Sequence, residues 1–342
     1  MSKTKQRICV VGSGAWGTAL AMLLDQNGHE VTLWSFESDI AQIMTETQVN
    51  PRLPGVTLPK SISHTNDISC VANFPIVVMV PPSFAVRQTA KAMAPYLSKD
   101  TVIVSASKGI ENGTGMRMSE IIAKETGCRV AAISGPCHAE EVSRGIPTGC
   151  DVACADRELV RLLQDMFMSP RFRVYAMPDI VGAELGGALK NVIALCGGIC
   201  DGMGYGDNTK ALLMTRGLTE TARLGMALGS RQETFAGLTG VGDLIVTCCS
   251  MHSRNHRAGI LIGQGMDVQE AMASVGGVVE GYYAAKSAME LAERAGVEMP
   301  ITQQAYEVLY NGKSPREAVQ ALMLRQRADE IEDAGWYEKD TK

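Results

Sequence analysis

The chain has no apolar core near its start that could act as a signal segment: Met-Ser-Lys-Thr-Lys-Gln-Arg runs directly into the first candidate strand. No uninterrupted apolar stretch is long enough to span a bilayer, so no membrane insertion is expected. The basic excess that a nucleic-acid partner demands is also missing. Lys and Arg number 32 against 37 Asp and Glu, a net charge of −5, whereas phosphate backbones need a cationic surface. The 10 cysteines include no C-x-x-C, and the 5 histidines have no zinc-like spacing. No metal centre or disulfide framework is expected, and free buried thiols in a reducing cytoplasm are the better account. Repeats and low-complexity tracts are absent. Proline is missing from Asp179 to Met299, while eleven of the 13 prolines lie at or before Pro178. In a chain of 342 residues, that asymmetry predicts two domains.

What is present begins at Ile8. Ile8-Cys9-Val10-Val11 suits a buried parallel strand, and Gly12-Ser13-Gly14-Ala15-Trp16-Gly17 follows at once as G-x-G-x-x-G. A helical run from Thr18 to Asp25 closes at Asn27-Gly28, and His29–Trp34 reads as a second strand. This is the unit that holds a dinucleotide. Gly12 allows the tight turn, Gly14 lets the backbone approach a pyrophosphate, and Gly17 lets helix and sheet pack closely. The helix N-terminus offers unpaired N–H groups to the anion.

Further candidate strands lie at Ile76–Val80, Val102–Ser105, Val130–Ile133, Cys150–Cys154 and Phe172–Tyr175, with helical runs between them. That alternation predicts a parallel, doubly wound sheet. The second half, with Ala211–Leu228 and Ala284–Ala295 as its clearest stretches, reads as helical throughout. The expected architecture is α/β: a Rossmann-type domain over residues 1–180, then an all-helical substrate-binding domain over residues 181–342. Ligands belong at the carboxyl ends of the strands.

Several polar residues stand where chemistry is expected. Lys108 follows the strand ending Val104-Ser105, and the Gly135–Ala139 turn follows Ile133-Ser134, so both line the expected crevice. Lys108 reads equally as a solvated loop lysine. Lys190 sits among small and apolar residues on every helical face, where desolvation lowers its pKa toward the range useful for proton transfer. The bland alternative is a packed stem with the ammonium in water. Asp243, among glycines, either neutralises and orients a lysine or caps the following helix, and the cap is the better reading of the residues alone. Ser253-Arg254-Asn255 gathers phosphate-binding donors or is simply a basic surface run. Val278-Val279-Glu280-Gly281 is a second glycine-rich turn, in which Glu280 accepts from a ribose or merely joins helices.

In order, GSGAWGTALA from Gly12, SASKGIE from Ser105, ISGPCHAEE from Ile133 and LGGALKNVIAL from Leu185 resemble the bacterial-type NAD(P)-dependent glycerol-3-phosphate dehydrogenases. GLTGVGDLIVTC from Gly237, HSRNHRAG from His252, GQGM from Gly263 and VVEG from Val278 extend the resemblance over most of the chain. It implies reversible reduction of dihydroxyacetone phosphate to sn-glycerol 3-phosphate, the backbone of phospholipids, by a cytoplasmic homodimer. It implies that Lys190 exchanges the proton at the substrate carbon, with Lys108 and Asp243 beside it. Gly135, Cys137, Ser253, Arg254 and Asn255 would join Lys108, Lys190 and Asp243 in binding substrate. Ala15, Trp16, Phe36, Lys108, Ala139, Arg254, Val278 and Glu280 would face the dinucleotide. Two positions depart from the family pattern: Cys137 stands where Ser or Thr is usual, and Ala15 where Ser is common. Rival readings are a Rossmann reductase of β-hydroxy acids or acyl thioesters, and a noncatalytic dinucleotide sensor.

Cofactor choice is read from the end of the second strand, Leu33-Trp34-Ser35-Phe36. An acid there selects NAD, but the first acid is Glu37. Ser35 is expected to donate to a 2′-phosphate, Phe36 to pack on adenine, and Arg52 to reach in from the following loop. Both NADP(H) and NAD(H) are expected to work, with NADP(H) preferred, and Ser35→Asp is expected to penalise NADPH.

Overall fold

The β-branched runs of the first half form an eight-stranded sheet in a computed structural model that describes residues 4–327 and 329–330. The remaining residues at either end of the expected 1–180 and 181–342 ranges, with residue 328, lie outside the described residues. The strands are β1 (Arg7–Val11), β2 (Glu30–Trp34), β3 (Ser63–Thr65), β4 (Ile76–Met79), β5 (Val102–Ser105), β6 (Arg129–Ser134), β7 (Thr148–Ala153) and β8 (Phe172–Met177), in the order β3-β2-β1-β4-β5-β6-β7-β8. Helices α1 (Ala15–Gln26), α2 (Ser38–Thr47), α3 (Val86–Met93), α4 (Met118–Thr126), α5 (Ala139–Val142) and α6 (Arg157–Phe167) connect the strands. Apolar cores lie on both faces of the sheet, one around Ile8, Val10 and Leu20 and the other around Val77, Ile103 and Ile121. Chain order reverses between β1 and β4, which opens a crevice at their carboxyl ends.

The alternation of strands and helices predicts a wholly parallel sheet, and the sheet departs from that at one pairing. β7 pairs antiparallel to β6, with Ser134 opposite Asp151, and β8 then runs parallel to β7. The physical reason is the β6–β7 connection, whose only helix is the four-residue α5. A right-handed crossover needs a longer element to return the chain to the other end of the sheet, so the chain turns back instead.

From Ile180 onward the described elements are helical: α7 (Ile180–Gly202), α8 (Asp207–Ala227), α9 (Gln232–Phe235), a π-helical turn (Leu238–Gly242), α10 (Asp243–Cys249), α11 (Arg254–Gly263), α12 (Val268–Ser274), α13 (Glu280–Ala295), α14 (Pro300–Asn311) and α15 (Pro315–Met323). Asp179 starts α7 by accepting from the Gly182 amide at 2.9 Å. α7 is apolar all round because it is the central rod. Among the described residues it is the single unbroken helix long and apolar enough to cross a membrane, yet it is mostly buried inside the protein. Its glycines admit α11 at backbone distance: a Cβ on Gly198 would lie 2.0 Å from the His256 carbonyl oxygen, and one on Gly202 would lie 2.1 Å from that of Ile260. The crossing fixes Lys190, on α7, relative to the start of α11.

The ten cysteines are all free. Cys249 is exposed, against the expectation of buried thiols; it lies on the outer face of the last turn of α10.

Candidate active site

At the end of β1, Gly12 has a φ of +118°, and a Cβ there would stand 2.9 Å from the Val80 carbonyl carbon and oxygen. Only glycine fits. A Cβ on Gly17 would lie 1.9 Å from the Gly12 carbonyl oxygen, so α1 is pressed onto the turn as expected, whereas Gly14 faces open space. Gly14 caps α1 with no side-chain acceptor and no acid in the first turn, leaving the leading N–H groups available to a pyrophosphate. Asn50 steadies this turn, donating to the Ser13 carbonyl at 2.8 Å and to Thr18 Oγ1 at 2.6 Å. Ala15, Trp16 and Ala139 pack on the same sheet-face core, placing α5 beside α1.

Ser35 does not lie where the sequence reading puts it. It is fully buried, its amide donates to the Thr65 carbonyl at 2.9 Å, and its hydroxyl accepts from Ser13 at 2.6 Å. The strand pleat turns it inward, so it supplies no contact to a 2′-phosphate. Phe36 is 77% exposed, edge-on to Trp34 and available to an adenine. Arg52 does reach the strand end, pairing with Glu37 at 2.5 Å. Arg52→Ala is therefore expected to lower NADPH efficiency by about tenfold, the worth of a charged hydrogen bond, with little change for NADH. Steady-state kinetics with each cofactor is the check, and an unmoved ratio would remove Arg52 from cofactor selection. Ser35→Asp is now expected to lower Tm by burying a carboxylate, rather than to switch cofactors.

The second cluster centres on Asp243, 1% exposed at the first residue of α10. It does not cap that helix, the alternative favoured from the residues alone, because the preceding π turn delivers the chain already coiled. Its carboxylate instead bridges two lysines. Lys190 Nζ donates to one oxygen, and Lys108 Nζ donates to the other at 2.7 Å. Lys108 also donates to the Gly135 carbonyl at 2.9 Å. Lys190 donates to Thr247 Oγ1 at 2.7 Å, and the Thr247 hydroxyl donates to the Asp243 carbonyl at 2.6 Å. Lys190 is 8% exposed with its ammonium turned inward, so it is not a snorkelling lysine. Burial pushes its pKa down to about 8, Asp243 resists that fall, and the Lys108 charge adds to it. At Lys108 burial also opposes the charge, but Asp243, Cys137 and Cys150 outweigh it and hold the pKa above the ordinary lysine value. Cys137 is partly exposed beside this pair, its thiol 3.7 Å from the Gly149 carbonyl.

The Ser253–Asn255 run divides. Ser253 is buried as the N-cap of α11, accepting from the His256 amide at 3.2 Å. Asn255 is buried too, donating to Asn191 Oδ1 at 2.9 Å and accepting from the Gly281 amide at 2.8 Å. The exposed Arg254 carries its guanidinium over the backbone at Gly277, where a Cβ would come within 2.6 Å. Glu280, which feels the Arg254 charge, accepts from the Ser83 hydroxyl at 2.6 Å and amide at 3.2 Å across the cleft, with Val278 in the turn before it. The starts of α11 and α13 thus converge on Asn191, next to Lys190. Sequence reasoning missed Thr247, Asn191, Ser83 and Asn50. Thr247 lies one helical turn beyond Asp243, and that spacing was the available signal.

A glycine turn built for a dinucleotide, together with a buried lysine–carboxylate–lysine bridge that joins the loop after β5 to two helices of the second half, defines a Rossmann-type dehydrogenase with a helical second domain. The family model described as NAD-dependent glycerol-3-phosphate dehydrogenase N-terminus matches residues 7–160, and its C-terminus counterpart matches residues 179–320. The chain belongs to the NAD-dependent glycerol-3-phosphate dehydrogenase family. It is 52% identical to a glycerol-3-phosphate dehydrogenase (NAD(P)+) of Moorella thermoacetica over 334 residues, covering 97% of this chain and 100% of that protein. Identity to the like-named protein of Fusobacterium nucleatum is 50% over 331 residues, covering 95% and 99%. The crystal structure of glycerol-3-phosphate dehydrogenase from Coxiella burnetii superposes with a TM-score of 0.91 at 38% identity, over 94% of this chain and 99% of that one.

Proposed function

We propose that this protein catalyses the reversible NAD(P)H-dependent reduction of dihydroxyacetone phosphate to sn-glycerol 3-phosphate, supplying the glycerol backbone of phospholipids. The observation that carries the mechanism is the buried Asp243 carboxylate shared by Lys190 and Lys108. The reduced dinucleotide, when bound along Gly12–Gly17, supplies the hydride to the carbonyl carbon. Lys190, as an ammonium, gives its proton to the carbonyl oxygen as that oxygen gains negative charge, and takes it back in the oxidation direction. Asp243 orients Lys190 and balances both cations. Lys108 stabilises the developing oxyanion. Gly135 and Cys137 line the substrate, and the α11 start with Ser253, Arg254 and Asn255 holds the phosphate. Ala15, Trp16, Phe36, Lys108, Ala139, Arg254, Val278 and Glu280 complete the cofactor contacts. This reading divides the chain at about residue 180 and takes the active protein as a cytoplasmic homodimer that prefers NADP(H).

Oxidation of NADPH on addition of dihydroxyacetone phosphate, followed by nicotinamide absorbance, tests the assignment. Turnover with a β-hydroxy acid or acyl thioester pair, and none with the triose phosphate, would overturn it. Arg254 is the exposed cation of its run, so Arg254→Ala is expected to raise KM for both phosphate-bearing substrates about ten- to hundredfold. Substrate titration at saturating cofactor reads this directly. An unchanged KM moves the phosphate site elsewhere.

A further inference from the structure

The π-helical turn Leu238–Gly242 delivers Asp243 into the cleft, and Thr239 hydrogen-bonds that turn to the sheet. Thr239 is fully buried. Its hydroxyl lies 2.8 Å from the Ala183 carbonyl and 2.7 Å from Ser134 Oγ. The carbonyl can only accept, so the one Thr239 proton goes there and Ser134 donates in return. The Thr239 amide donates to Asp151 Oδ2 at 3.2 Å. Its carbonyl oxygen passes so close to α7 that a Cβ on Gly186 would stand 2.7 Å away.

Ser134 and α7 both lead from Thr239 to the lysine bridge. Ser134 and Asp151 face one another across the antiparallel β6–β7 pair, so the reversed strand is what brings both partners to the turn. Ser134 precedes Gly135, whose carbonyl accepts a hydrogen bond from Lys108. The space beside Gly187 is shared by Ser134 Oγ and the Lys108 stem. Ala183 and Gly186 lie on the helix that carries Lys190. Thr239 therefore sets the separation between the turn bearing Asp243 and the two elements that place the lysines.

We propose that Thr239 is a positioning residue for the reduction described above, pinning the π turn so that one carboxylate serves Lys108 and Lys190 at once. A turn free to slide leaves one lysine without its share of the charge. The proton affinity of Lys190 follows, since the titratable groups around it are Asp243, Lys108, Cys137, His138 and Cys248. Asp243 is the only carboxylate in direct contact with it among the described residues.

The test compares Thr239→Val, which keeps the shape and removes the hydroxyl, with Thr239→Ser, which restores it. Thr239→Val is expected to lower kcat about tenfold through misplaced catalytic groups. The basic limb of its pH profile should shift while dinucleotide Kd stays unchanged, and Thr239→Ser should return both kcat and the limb to wild type. Titration of Lys190 by NMR of labelled lysine gives the same comparison without turnover. Wild-type turnover thus reports on the reaction, and the variant titrations report on the pin. If Thr239→Val melts earlier but keeps its kcat per folded molecule and its Lys190 titration, Thr239 is only a packing residue and the proposal fails.

Discussion

Lys190→Ala is expected to lose nearly all turnover, about 10²–10⁴-fold for removal of a positioned general acid, while NADPH binds as before. The binding half of the result follows from distance along the fold. The glycine turn proposed to receive the pyrophosphate is built from β1, α1 and the Val80 backbone, whereas the Lys190 hydrogen bonds go to Asp243 and Thr247 on α10. Charge alone is separated from proton transfer by Lys190→Arg, which keeps a cation but holds its proton at every working pH, and which is expected to stay inactive. The wild-type pH dependence has a definite sign. With the Lys190 pKa near 8, reduction requires the ammonium, so its kcat/KM is level at lower pH and falls as pH rises through about 8. Oxidation requires the free amine and rises over the same range. Near-normal kcat in the purified alanine variant, or the same direction of pH dependence for both reactions, would refute the assignment.

Asp243→Asn should be nearly as damaging, and in two separable ways. The carboxylate is buried, and its loss leaves two ammonium groups sharing a cleft with no counter-charge. Breaking a buried pair from one side costs about 3–5 kcal/mol of stability, which denaturant unfolding will register. The catalytic effect is distinct. Lys190 loses the neighbour that does most to hold its pKa up against burial and Lys108, so the basic limb for reduction moves to lower pH. Turnover at neutral pH is expected to fall about 10²–10³-fold, the scale of losing a preorganised electrostatic partner. Should the melt shift while the limb stays in place, Asp243 is a structural ion-pair partner and not a regulator of the lysine proton.

How much of this was legible beforehand differs from residue to residue. The glycine turn was readable in full, because its requirement is local: a positive φ at Gly12 and bare Cα positions at Gly12 and Gly17 are demands on single residues, visible as a spacing. The low pKa of Lys190 was readable for a similar reason, since small and apolar neighbours on every face of one helix already imply burial. For Asp243 the residues alone favoured a cap over a lysine partner, and only the family resemblance put it beside Lys190. Capping is a local motif and the bridge is not; nothing between Lys108 and Asp243 in the chain announces that they meet. Ser35 failed for a geometric reason, since the outward or inward sense of a residue just past a strand depends on whether pairing continues, here to Thr65.

By itself the sequence determined the alternation of strand and helix, the dinucleotide turn, the helical second half and the family, all of which rest on periodicity, glycine spacing and motif order. The tertiary structure alone decided the reversal of β7, the π turn, and the sharing of one carboxylate by two lysines. Those features arise from elements far apart in the chain, held by short hydrogen bonds such as Thr239 to Ser134 and Lys108 to Gly135. A chain's local preferences are set by neighbours a turn or a pleat away. Which distant acceptor a buried donor finds is settled only when the whole fold excludes water and leaves one partner within reach.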